Sequence, residues 1–481
     1  MSTTGGGHID VDEVFEKIGG FGRAQKKIYY LMNSAQIAAG FHTLILTFIA
    51  IVPEWSCGNK QGQGVCTQFD LGDCKPKYDP SVSSIIAEWD LICGESALAK
   101  LSQSMFFVGS MLGAWIFGTL ADRIGRRKAY FISIALSAAS GFGYSLAPNY
   151  YIFIIFRLLV ALNLAGVILS SFVLSMEIAG AEYRTFAGLA YSAIFAFCYP
   201  ILAGLAYLIP NWRLLGVISS LSLLPFLLLW RIIPESPRWL LVNGREEEAR
   251  AVLTRLASEN GVEMPAGQLK KPAVSTSADP VSALDLFSGK VIRRRTMILF
   301  IAWFCNCVLY YALSFSAGDL GGSVYFSFTL SGLVEVPSIM VGYFLLQRFG
   351  RRLPHGTFLA GGGVACFSVA ILQWLGSSVA PKIVLALVGK FAIAGSFALI
   401  YLYTAELFPT QVRNIGAGVC SIGARLGGIF SPIILLLADY NASLPMLILG
   451  VLGTLSGLLS LYLPETLNTP LPETLNELEL S

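Results

Sequence analysis

Two segments far apart in the chain carry the same charges in the same order. SMEIAGAEYRTFAG ends one apolar stretch with Glu177 and Arg184, and YTAELFPTQVRNIGAG ends another with Glu406 and Arg413. Both pairs are displaced by 229 positions, from 177 to 406 and from 184 to 413. Asp122, Gly125, Arg126 and Arg127 answer to Gln347, Gly350, Arg351 and Arg352, and PESPRW at Pro234 answers to PETLNT at Pro464. In a membrane chain, two like-ordered halves predict a parallel-repeat carrier, with its substrate held midway across the bilayer between the halves.

The membrane setting follows from composition. Of 481 residues, 55% are hydrophobic and 13% charged, against about 25% charged in soluble proteins. A net charge of +3 is too small to argue for a nucleic-acid partner. Residues 1–26 are polar and Gly-rich without a secretory signal pattern, so the first span is expected to anchor itself. A crossing helix needs roughly 20 apolar residues. Twelve such spans are read near 28–52, 98–120, 129–147, 150–174, 186–209, 213–233, 296–317, 321–346, 356–376, 382–404, 414–437 and 445–463. Each is expected to be an uninterrupted helix, because hydrocarbon offers backbone polar groups no partner.

Positive charge sets the orientation. Arg123, Arg126, Arg127 and Lys128 follow the second span, Arg184 the fourth, Arg348, Arg351 and Arg352 the eighth and Arg413 the tenth, while Arg293, Arg294 and Arg295 precede the seventh. The loops after spans 3, 7 and 11 carry no Lys or Arg. Both termini are therefore expected in the cytoplasm. The expected layout is a cytoplasmic segment 1–27, a six-helix bundle 28–233 with an outer loop 53–97, a cytoplasmic loop 234–295, a second bundle 296–463 and a cytoplasmic tail 464–481. In the inner loop, Ala249, Val252, Leu253 and Leu256 at helical spacing predict an amphipathic helix, with Glu246 and Arg250 placed to pair at i,i+4. Lys271–Pro280, rich in Ser, Ala and Pro, reads as the linker between the halves.

Cys57, Cys66, Cys74 and Cys93 all lie in the outer loop, where oxidation is permitted. Four cysteines allow three pairings, and sequence does not choose among them. A zinc site is the rival reading, weakened by the lack of a nearby His. Cys198, Cys305, Cys307, Cys366 and Cys420 sit in apolar spans as small packing residues.

Several motifs resemble the major facilitator superfamily, beginning with GTLADRIGRR at Gly118–Arg127. Within it the chain is similar to the organic cation, anion and zwitterion transporter family, solute carrier family 22. The matching pieces include DEVFEKIGGFGRAQ at Asp12–Gln25, EWDLIC at Glu88–Cys93, LSQSMFFVGSMLGAWIFG at Leu101–Gly118 and PNWRLL at Pro210. They continue with PESPRWLL at Pro234, LSGLVEVPS at Leu330–Ser338 and GKFAIAGSFALIYLYTAELFPTQVRN at Gly389–Asn414. FSAGDLGGSVY at Phe315–Tyr325 and LPETLNTPLPETL at Leu463–Leu475 resemble its member 15 branch most. The resemblance implies an all-α polytopic fold with twelve helices in two six-helix repeats. The chain departs from the family in three ways. Its outer loop lacks a glycosylation sequon, the one sequon being Asn441-Ala-Ser443. Gln347 replaces an acidic residue. Arg425 stands where the cation-selective branch has Asp.

The repeated charges read as a latch. Glu177 with Arg126 or Arg127, and Glu406 with Arg351 or Arg352, are expected to pair across the cytoplasmic seam and to part when the carrier opens inward. Asp122 is expected to accept from Arg184 or from a facing helix N-terminus. The rival reading is that these arginines only fix topology.

Intramembrane polar groups are functional candidates by default. Arg425, midway along span 11, has a guanidinium suited to a carboxylate; by resemblance, Arg there belongs to carriers of anions and zwitterions. Its rival role is bonding helix carbonyls. Glu335 would attract an ammonium; its rival role, pairing with Lys390 or Arg425, does not exclude the first, and Arg425 and Glu335 across a cavity would fit the two ends of a zwitterion. Trp303, Tyr310, Tyr311, Tyr401, Tyr403, Tyr191, Phe195 and Tyr199 are candidates to cage a cation, against plain helix packing. Gln103 and Asn306 join them by their place in the resembled motifs, against bonding a neighbouring helix. His42 and Arg157 read as helix packing and bracing, and Gly109 and Gly113 as a close helix approach.

The sequence has no Walker loop, no metal-ligand spacing and no nucleophile set, so no enzyme, cofactor or metal is expected. The reading is a multi-pass plasma-membrane carrier of small organic cations or zwitterions, carnitine-, betaine- or ergothioneine-like. It works by alternating access, with sodium or proton as a candidate coupling ion. An organic anion carrier, a sugar carrier and a non-transporting receptor on the same scaffold stand as alternatives.

Overall fold

The computed structural model describes residues 8–57, 60, 61, 66, 75–270, 282–316, 322–409, 411–469 and 475–480. Helices cover each of the twelve apolar stretches. Among the described residues, nine helices are long and apolar enough to cross a bilayer. The remaining three stretches hold a first helix broken into Arg23–Asn33, Ala35–Leu44 and Leu46–Ile49, the 20-residue Arg126–Ser145 and the 17-residue Leu444–Ser460.

The expectation of uninterrupted helices is corrected at several places. Arg184–Ala196 breaks before Cys198–Leu208, and Val324–Leu333 breaks before Glu335–Phe349. Pro200 and Pro337 lie just beyond these breaks. Each lacks the N–H that would bond the carbonyl four residues back, and its ring crowds that carbonyl. Trp212–Leu221 also runs on into a 3-10 turn at Leu224–Arg231. Packed neighbours in a bundle make such breaks tolerable inside a membrane.

The helices form two sets with separate apolar cores. One core runs from Ile9 to Leu269 and borrows Phe328; the other runs from Leu286 to Leu478. Small residues let backbones meet, as expected for Gly113. A Cβ there would lie 2.0 Å from the Leu162 carbonyl oxygen on the Tyr150–Ile178 helix.

The 29-residue helix Ser96–Ile124, about 43 Å long at 1.5 Å per residue, separates two ends of the molecule. At one end lies the loop with the Cys66–Cys93 disulfide and a three-stranded antiparallel sheet of Trp55–Cys57, Lys60–Gln61 and Lys77–Tyr78. Cys57 is also disulfide-bonded; Cys74 lies outside the described residues. Glu88 fastens this end by accepting from Trp212 Nε1 at 2.7 Å and pairing with Arg213.

At the other end, the arginine motifs meet a layer of short helices, Val11–Lys17, Pro237–Val242 and Glu246–Asn260. His8–Ile9 pairs in parallel with Gln268–Leu269, and Val14, Phe15 and Ile18 are fully buried. Ala249, Leu253 and Leu256 are buried as the amphipathic reading requires. The expected Glu246–Arg250 pairing gives way to Arg250 donating to the Gly267 carbonyl. The linker Lys271–Pro280 lies outside the described residues.

Candidate functional site

The arginine end is built twice to one plan. Gly125, at φ +102°, turns the chain between Ser96–Ile124 and Arg126–Ser145. Glu235 then accepts the backbone N–H groups of Arg126 at 2.9 Å and Arg127 at 3.1 Å. The Arg126 side chain pairs with Asp122 at 3.0 Å and Glu177 at 3.3 Å. In the second copy Gly350, at φ +85°, precedes Arg351 and Arg352, whose N–H groups donate to Glu465 at 2.8 and 3.1 Å. The Arg351 guanidinium grips Glu406 at two points, 2.8 and 3.0 Å, and Thr466 donates to the same carboxylate. The Glu465 carboxyl is partly buried, which opposes its ionisation, but the N–H groups of Arg351, Leu467, Thr466 and Arg352 hold it below the usual carboxylate range.

Both latch pairs therefore form, but each closes inside its own helical set rather than across the seam between them. The expected Asp122–Arg184 bond is also replaced. Asp122 is 74% exposed beside Arg126, and Arg184 donates to Asp12 at 2.6 Å, together with Arg238. Arg127 lies over the Trp230 ring at 4.2 Å. Arg413 heads the Arg413–Leu436 helix as Arg184 heads Arg184–Ala196. Sequence reasoning missed Glu235, Glu465, Asp12 and Arg238. The repeated PES and PET segments carried the signal for the first two.

Midway along the bundle, Arg425 is half-buried and bonds only one turn back on its own helix, from Nη1 to the carbonyl (3.0 Å) and hydroxyl of Ser421. Its Nε is buried and has no hydrogen-bond partner among the described residues. Tyr401, Cys307 and Tyr311 lie near enough to act on its charge. Tyr401 is 49% exposed although it sits in the apolar 29-residue helix Val379–Leu407. Its ring meets Trp303 at 4.5 Å and Phe397 at 5.7 Å, and nearby Tyr311 meets Phe107 of the first set at 4.5 Å. Groups from both sets thus surround this face. Trp303 itself is buried and donates to Thr404 at 2.9 Å. Tyr311 stacks between Phe107 and Phe315 at 4.5 and 5.9 Å. Tyr191 is half-buried and donates to the Ile168 carbonyl at 2.7 Å.

Other candidates stand apart from this face. Glu335 is not a free carboxylate: it pairs with Lys390 at 2.8 Å, the two side chains 4% and 1% exposed. Lys390 lies over the Tyr310 ring at 3.4 Å and donates to Ser314 at 2.7 Å and to the Tyr199 hydroxyl at 3.1 Å. Tyr199 and Tyr310 are buried around this pair. Gln103 braces helices, donating to the Thr43 carbonyl at 2.9 Å and accepting from Arg157 at 2.7 Å. Asn306 donates to Ser396 at 3.0 Å, a hydroxyl shared with His355. Tyr403 donates to the Pro464 carbonyl at 2.8 Å. Arg157 bonds the His42 carbonyl at 2.7 Å, the bracing role expected of it.

The two sets meet toward the disulfide end. Lys100 reaches Asp439 at 3.2 Å and Ser104 donates to the Ile429 carbonyl at 2.8 Å. Phe48 stacks on Tyr325 at 5.5 Å, and Tyr207 meets the same ring edge-on.

The sequence profile described as "Sugar (and other) transporter" matches residues 36–476. An organic cation transporter protein of Drosophila melanogaster is 35% identical, over 97% of this chain and 94% of its own length. A protein of Xenopus laevis called solute carrier family 22 member 15-like is 36% identical over 98% and 96%. The human organic cation/carnitine transporter 2 is 32% identical over 98% and 94%. Among solved structures, the inward-open xylose transporter XylE of E. coli superposes with a TM-score of 0.71 at 17% identity, covering 95% of this chain and 99% of that one. With the sugar-bound XylE symporter the TM-score is 0.66 at 19% identity, over 95% and 98%. Two like-ordered helical sets, the twice-built arginine end and these full-length matches lead to one conclusion: the chain belongs to solute carrier family 22 of the major facilitator superfamily, an all-α, multi-pass membrane transporter and not an enzyme.

Proposed function

We propose that the chain is a secondary transporter of small organic cations and, more narrowly, of zwitterions of the carnitine, betaine or ergothioneine kind. It works by alternating access in the plasma membrane with both termini cytoplasmic. The organic-cation names of its full-length relatives support the class. The single observation behind the narrower reading is the unpartnered edge of Arg425 beside exposed Tyr401. With Glu335 neutralised by Lys390, Arg425 is the uncompensated charge of this region. A guanidinium there binds a carboxylate through paired hydrogen bonds. The rings of Tyr401 and Tyr311 suit the cationic end, at about 0.5–2 kcal/mol for a cation over a ring.

The same charge balance favours an organic anion as the second reading. A neutral zwitterion gains nothing from the membrane potential, whereas a cation gains about 2.3 kcal/mol per 100 mV, so sodium or proton coupling belongs to the zwitterion reading. The test is uptake of a zwitterion and of its carboxyl ester. Arg425→Ala is expected to reduce zwitterion uptake at least ten-fold at unchanged surface expression, while the ester loses little; Arg425→Lys recovers only part. Intact zwitterion uptake in Arg425→Ala contradicts the carboxylate role, and preferred uptake of aryl or alkyl carboxylates supports the anion reading.

A further inference from the structure

We propose that Tyr199 is a bolt between the two helical sets: it enters the second set and holds the disulfide-bearing ends together through its hydroxyl. Tyr199 is the second residue of Cys198–Leu208, directly beyond the break at Phe197. Its side chain is fully buried against Gly332 of the opposite helix. A Cβ on Gly332 would fall 2.2 Å from the Tyr199 Cβ and 2.6 Å from its Cγ, so glycine is what lets the two helices approach this closely at Tyr199. Phe328 closes over it at 4.8 Å between ring centres.

The hydroxyl lands on the charge pair of the second set. It accepts from Lys390 at 3.1 Å and lies 3.0 Å from the Ser314 hydroxyl and 3.3 Å from that of Tyr310. The Lys390 ammonium has three protons to donate, and Glu335, Ser314 and Tyr199 take them. If the ends part, one proton of a buried ammonium loses its acceptor. That makes the bond a directional tie that must break in every opening. Lys100–Asp439, a second charged tie across the seam among the described residues, is 34% and 48% exposed, where screening leaves little. Other seam contacts include the neutral hydrogen bond from Ser104 to the Ile429 carbonyl and ring contacts such as Phe48 on Tyr325, and neither kind strands a buried charge when the ends part.

Ala203, one turn beyond Tyr199 on the same helix face and 3% exposed, is a site for a reporter. In the full chain carrying Ala203→Cys, the labelling rate by a membrane-impermeant maleimide is read above that of the chain without the reporter. Adding Tyr199→Phe keeps the ring and removes only the hydroxyl, and is expected to raise the rate about ten-fold, the scale of one charge-assisted hydrogen bond. Gly332→Ala, which wedges the same two helices apart, is expected to raise it too. A raised rate in Gly332→Ala with no change in Tyr199→Phe overturns the proposal, because the seam then opens without regard to the hydroxyl. No change in either variant overturns it as well. The readout needs no substrate, so its outcome is independent of the solute carried.

Discussion

At the scale of single residues, two glutamates far along the chain start two helices. Glu235 and Glu465 each offer a carboxylate to the first N–H groups of Arg126–Ser145 and Arg352–Trp374, donors that a helix leaves unpaired by construction. Glu465→Gln is expected to lower stability by about 1 kcal/mol, as for loss of a cap, read as a lower melting temperature. The sign of the pH dependence is fixed by the same bonds. The folded carboxyl titrates below its usual value, so its stabilisation is complete above the unfolded value of about 4.3 and is lost as pH falls through the folded one. Melts on acidification should show this loss in the parent and not in Glu465→Gln. The sequence displayed Pro234 and Pro464 as matching segments but not their task, because the bonds run to backbone groups more than a hundred residues away. Arg126–Glu177 and Arg351–Glu406 were legible as charges because the chain repeats them. Gln103, Asn306 and Glu335 were read toward substrate, whereas in the structure each bonds a neighbouring helix; which way a polar side chain points depends on helix rotation that apolar periodicity does not fix.

At the scale of elements, the positions of the apolar stretches were legible and their breaks were not. Hydropathy averages over a span and is blind to one missing hydrogen bond, yet Pro200 and Pro337 stood in the sequence as the signal. The break at Val334 places Glu335 at the start of a new helical segment, facing Lys390. The arginine latches are also elements of one set each, tying the turn before Arg352–Trp374 to the end of Val379–Leu407. Their work is therefore to stiffen a half rather than to bridge halves. Glu406→Gln is expected to cost about 2 kcal/mol through the stranded Arg351 guanidinium, seen as a lower melting temperature. The Ala203→Cys labelling rate should stay within two-fold of its parent. A many-fold change in labelling without loss of stability would instead make the pair a bridge across the seam.

At the scale of the whole molecule, the duplicated charges anticipated two helical sets, and two separate apolar cores are their physical form. The sequence could not show which ends of the sets touch, because a seam is written in contacts between helices far apart in the chain, such as Phe48 with Tyr325 and Lys100 with Asp439. Those contacts gather at the disulfide end, while Arg425 is half-buried and Tyr401 half-exposed in the middle of the second set. On the alternating-access function proposed above, the solute moves as the closed end is exchanged. The direct measurement is uptake into vesicles holding only the purified chain, with and without unlabelled solute inside. The expected result is saturable zwitterion uptake that internal solute accelerates several-fold; a correctly folded protein that binds the zwitterion yet shows no uptake and no exchange would contradict the account.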